Sequence, residues 1–70
     1  MTTYETLNSE TTIKSGIEIV VTTIFKKIHL SKPFTTIFYE MTIDGNSVGS
    51  YEMKKNEVNW YIENYETYIN

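Results

Sequence analysis

Cysteine and arginine are both missing from this 70-residue chain, and histidine, proline and tryptophan each occur once. Without cysteine there is no disulfide to compensate for a small core, no thiolate nucleophile and no soft ligand for zinc. That lack is compatible with a reducing compartment. Without arginine there is no forked cation to grip phosphate or guanine, and a net charge of −3 offers no basic footprint. Direct nucleic-acid binding is therefore not expected. No stretch approaches the roughly 20 apolar residues of a membrane span. The opening MTTYETLNSE has neither the basic nor the apolar region of a signal peptide, so a soluble, cytoplasmic protein with no membrane contact is expected.

Apolar residues make up 40% of the chain and aromatics 14%, which argues for a folded domain rather than disorder. A single domain spanning 1–70 buries only about 60% of its unfolded surface, so its core is small. Charge is unevenly spread. Residues 1–34 set Glu5, Glu10 and Glu18 against four lysines, whereas residues 35–70 set six acids against Lys54 and Lys55.

Residues 1–15 are polar, with Tyr4, Leu7 and Ile13 scattered among them; they read either as a loose arm or as a short edge strand. From Gly16 the chain fills with β-branched residues. At period two, Ile17, Ile19, Val21, Thr23 and Phe25 share one face, and Glu18, Val20, Thr22, Ile24 and Lys26 the other. A helical alternative over 16–29 places Ile17, Val20, Val21, Ile24 and Ile28 on one stripe with a capping-box pair at Ser15 and Glu18. Ile, Val and Thr lose side-chain freedom in helices and suit a pleated surface, which favours the strand. Pro33 marks a turn. A second strand follows, with Ile37, Tyr39, Met41 and Ile43 on its apolar face and Phe34, Thr36, Phe38, Glu40 and Thr42 on a more polar one. DGNS at 44–47 reads as a tight hairpin, bringing Val48 opposite Ile43. Beyond it, Asn56 is a candidate helix cap. Val58, Ile62, Tyr65 and Ile69 recur with helical spacing.

The expectation is an α+β fold: a three-stranded antiparallel meander over about 17–28, 34–43 and 48–54, covered by a helix over about 57–69. The alternative is αββα, with 16–29 helical. The triplet TTI at 11–13, 22–24 and 35–37 is strand composition and not a repeat, since the 13-residue offset between the second and third is shorter than the usual solenoid or propeller units.

Chemical signatures fail on inspection. His29 alone cannot build a usual zinc site. Ser47 or Ser50 with His29 and Asp44 lacks any nucleophile-elbow context. The loop from Asp44 puts Val48 and Lys55 where a calcium loop needs an oxygen and a glutamate. No catalytic residue, metal or cofactor is expected, and the chain does not read as an enzyme. Trp60 lies about 160° from the apolar stripe at 100° per residue, beside Glu63, Asn64 and Thr67. With Glu57 and Glu66 these residues form the candidate partner-binding surface, because exposed Trp ringed by polar groups is typical of binding hot spots.

The function this implies is a small acidic protein-binding module, an inhibitor or adaptor acting by surface occlusion. Its size and AT-rich-type composition suit phage or mobile-element anti-defence proteins of the anti-CRISPR kind, acting in the host cytoplasm. The partner is then another protein: a host defence nuclease or another nucleic-acid-processing enzyme. The alternative is a structural, homo-oligomer-forming protein with no catalytic activity.

Overall fold

The structure, a computed structural model, describes residues 1–69; of the expected 1–70 domain, Asn70 lies outside the described residues. Four strands form one antiparallel sheet in chain order: β1 (Thr2–Lys14), β2 (Ile17–Ile28), β3 (Phe34–Ile43) and β4 (Asn46–Met53). A helix α1 (Lys55–Glu63) and a 3-10 turn (Tyr65–Tyr68) complete the chain. No described helix is long and apolar enough to cross a membrane.

This corrects the expected fold on strand count, while the α+β class stands. The sheet has four strands and not three, because residues 2–14, read as an arm or a short edge strand, form a 13-residue strand paired along its length with β2. Residues 17–28 are strand, so the αββα alternative is excluded. The helix is shorter than expected and starts earlier. Its cap is Lys54, with no side-chain cap bond, rather than Asn56. It stops at Asn64, whose backbone N–H and Nδ2 both donate to the Trp60 carbonyl at 3.0 and 2.8 Å. With that carbonyl occupied twice, the ladder passes into a 3-10 turn in which Thr67 N–H donates to Asn64 O at 3.1 Å.

Two hairpin loops set the register. Ser15 and Gly16 have φ of 50° and 77°, and Asp44 and Gly45 have 53° and 81°. Positive φ at both central residues is the two-residue I′ geometry whose twist matches that of paired strands. The second loop is therefore two residues long, and Asn46 rather than Val48 faces Ile43; Val48 faces Met41.

Ile19, Met41, Ile43, Met53 and Val58 form the buried core beneath α1. Ile19 and Ile43 are direct cross-strand partners, so both point at Val58 from the same face. The carboxy-terminal segment is tied back at two points. Tyr65 Oη–H donates to Ser15 Oγ at 3.2 Å, and Asn46 Nδ2–H donates to the Tyr68 carbonyl at 3.2 Å. The molecule measures 48 × 17 × 16 Å, and α1 covers only one end of it.

Ile43→Ala should lower folding stability by about 2–5 kcal/mol, the usual cost of emptying a sealed aliphatic site. A domain of this size holds only about 4–10 kcal/mol in total. Urea unfolding followed by tryptophan fluorescence measures the loss, and a change under about 1 kcal/mol would contradict the placement of Ile43 in the core.

Candidate functional site

The helix presents Trp60 on the side opposite the buried Val58. Its ring is 51% exposed and meets Tyr61 edge-on, with centroids 5.1 Å apart. Tyr61 in turn packs on Tyr68 at 5.2 Å, making an aromatic row from the exposed face to the core margin. Burial pushes the Tyr61 phenol above its usual value. Glu63, Glu66 and Thr67 are exposed, and Asn64 is half-buried.

Glu57 does not join them. Its carboxylate accepts from the Ser50 backbone N–H at 2.9 Å and from the Ser50 hydroxyl at 2.7–2.9 Å, and these bonds hold its pKa below 4.5. Glu57 is a latch on β4. Of the six residues expected as a partner surface, the structure gathers Trp60, Glu63, Asn64, Glu66 and Thr67 at the end of α1 and turns Glu57 inward.

The latch secures a feature that the sequence pattern did not signal. Val48 pairs with Met41 and Met53 with Tyr39, so residues 49–52 all lie opposite Glu40. Such an insertion bends a strand and re-aims its side chains. Gly49, at φ 98°, begins the departure, and Glu52, at φ 53°, ends it. A Cβ on Gly49 would fall 2.5 Å from the sulfur of Met53 and push the flexible end of that side chain aside; the positive φ is what favours glycine here.

The bulge folds over the face of the sheet that α1 leaves bare. There Glu52 pairs with Lys26, and Tyr51 bonds Tyr4, which raises the Tyr51 phenol above its ordinary value. Beneath them Ile24 and Phe38, direct cross-strand partners, are buried, Phe38 to 4% exposure. Tyr4 closes edge-on over Phe38 at 6.1 Å. An open cleft of about 620 Å³ runs between Tyr4 and the bulge, with Thr6 and Glu40 on its walls. Phe38 lies on the face of β3 that the sequence pattern makes the more polar one; what alternation cannot reveal is that a later segment returns to cover that face.

At the far end, Thr3 Oγ1 and His29 Nε2 share a hydrogen bond of 3.0 Å. Among the described residues no group of three or more His, Cys, Asp or Glu side chains is placed to hold a metal. The chemistry on offer is aromatic contact and carboxylate charge.

The bulge should respond to pH with a definite sign. Hydrogen bonds from Lys26 and Ser50 hold Glu52 and Glu57 below 4.5, so each favours the folded state above that value and loses its contribution as pH falls through its folded pKa. Lys26 is raised above 10.5, chiefly by Glu52, so its share is present below that value and is lost at higher pH. Glu52→Gln should therefore lower the urea midpoint at pH 7 and converge on the wild type once the pH has fallen through the folded pKa of Glu52. A variant displaced equally at both pH values would show that the ion pair contributes nothing. Gly49→Ala should cost at least about 1 kcal/mol at either pH, through strain and contact with Met53. Compared with protein-family models, curated proteins and solved structures, the chain matches none of them.

Proposed function

We propose that the chain is a small acidic protein-binding module that inhibits or adapts a partner protein by covering part of its surface, with no catalytic step of its own. The observation that carries this is Trp60: a half-exposed indole braced edge-on by Tyr61, on a helix whose end is pinned at the Trp60 carbonyl. A large ring with few torsions, already held in place, loses little entropy when a partner covers it. Glu63 and Glu66, which follow Trp60 in the chain, are exposed. Carboxylates at the edge of an aromatic anchor select a basic partner face and speed encounter more than they add affinity. Nucleic-acid-processing enzymes, including host defence nucleases, carry such faces, and they are the partner class this surface suits.

Trp60→Ala should leave the fold intact, at a cost of about 1 kcal/mol or less for the lost edge-on contact and half-buried area. Binding to the partner recovered on the immobilised wild-type chain should weaken by at least about 2 kcal/mol. Reversing Glu63 and Glu66 to Lys should slow association, with a smaller effect at high salt. Thermal melts and surface-binding kinetics on the same preparations separate the two effects. A folded Trp60→Ala protein that binds as tightly as the wild type would falsify the assignment.

A further inference from the structure

The outer edge of β1 is unusual in its spacing. Lys14 and Ile17 flank a two-residue loop and so exchange the narrow pair of hydrogen bonds that closes a hairpin. Alternation then turns the backbone groups of Thr12, Glu10 and Asn8 toward β2, and those of Ile13, Thr11 and Ser9 outward. Leu7 is an extra residue between the Thr6–Ile24 and Asn8–Thr23 pairs, and it shifts the phase. At the other end His29 N–H donates to Met1 O at 2.8 Å, which turns Met1, Thr3 and Glu5 inward and Thr2, Tyr4 and Thr6 outward. The free edge thus presents three outward residues on each side of the bulge, Thr2, Tyr4, Thr6 and Ser9, Thr11, Ile13, with a three-residue step from Thr6 to Ser9. An ordinary strand repeats every two residues and can match one half of this edge only. A second copy of β1, run antiparallel, matches both halves.

We infer that the chain self-associates through β1, bulge against bulge, into a two-fold dimer with one continuous eight-stranded sheet. Thr2 pairs with Ile13 of the second copy, Tyr4 with Thr11, and Thr6 with Ser9. Opposed residues share a face, so both helices lie on the same side of the sheet, and the two-fold sets the two Trp60 surfaces proposed above toward opposite ends of it. Tyr4, Leu7 and Ile13, all exposed in the single chain, gain cover at the seam. The same register sets Glu5 against Glu10 of the second copy, twice, on the helix-bearing face. Like charges directly opposed weaken strand pairing. A seam of 13 residues is about 44 Å long and about 10 Å deep. That is roughly 450 Å² per partner against the roughly 800 Å² of a stable interface, so the dimer is reversible and forms in the micromolar range or above.

Sedimentation equilibrium of the full chain, over concentrations up to about millimolar, should show a monomer–dimer equilibrium that tightens with added salt as the glutamate repulsion is screened. Glu10→Lys exchanges two repulsions for two attractions and should tighten the dimer about tenfold or more. Thr11→Pro removes an outward N–H that β2 does not use, and edge strands tolerate such a proline; it should loosen the dimer at least about tenfold. Hydrogen exchange should show the Tyr4, Thr6, Ser9 and Thr11 amides protected only at high concentration. A chain that stays monomeric at every concentration, in both the wild type and Glu10→Lys, overturns the inference. So does a dimer that Glu10→Lys weakens, or one that Trp60→Ala disrupts while leaving those amides exposed.

Discussion

Nine residues of helix rise about 13 Å, whereas the twelve-residue strand beneath runs about 40 Å. A helix of that length can seal one end of the sheet and no more. Val58 is where the sealing is complete: it is fully buried among Ile19, Ile43 and Met53. Everything beyond reach of α1 must be stabilised by other means. Backbone ladders carry β1, whose side chains are all exposed. On the opposite face, the returning bulge of β4 covers Ile24 and Phe38. The elongated shape follows from the same mismatch, because the sheet extends past the helix that packs on it.

The bulge and the helix are not independent. Glu57 leaves the row of outward acids to bind Ser50, and in doing so fixes the segment that carries Tyr51 and Glu52 to the second face. One carboxylate on the helix side therefore controls a cleft on the other. The positive φ at Glu52 is a position where a side chain costs on the order of 1–2 kcal/mol, and the Lys26 pair and the Ser50 latch lie where they offset it. The sheet separates the two surfaces, and the bulge connects them.

What could be seen in the sequence was whatever left a mark through burial or turn chemistry. β2 is visible because Ile19, Val21 and their neighbours alternate against a core. The Asp44–Gly45 loop is visible because few residues accept that backbone, and α1 is visible because Val58 and Ile62 keep helical spacing. β1 could not be told from a polar arm, and its length could not be read, for the converse reason. Both of its faces meet solvent, so Thr2–Lys14 carries no alternation of apolar and polar residues. The bulge was hidden because Val48, Gly49, Ser50 and Tyr51 read as one continuous strand, and nothing local says that Met53 must return to Tyr39. Trp60 could be placed from helical phase alone. Glu57 could not, since its partner belongs to the very segment the pattern misread.

Each strand of this sheet pairs only with its neighbours in the chain, and both tight hairpins begin at two-residue loops. Closing short loops costs little chain entropy, and the cost rises only slowly with length, so β1–β2 and β3–β4 can each zip from their own turn before any distant contact exists. The hydrogen bond from Tyr65 to Ser15 reaches across fifty positions of sequence. It joins the last helical turn to the tip of the first hairpin and so closes a long loop. Assembly of this domain is therefore a matter of two quick local events and one slower docking. That docking is made by the carboxy-terminal segment, the same segment that brings Trp60 to the surface.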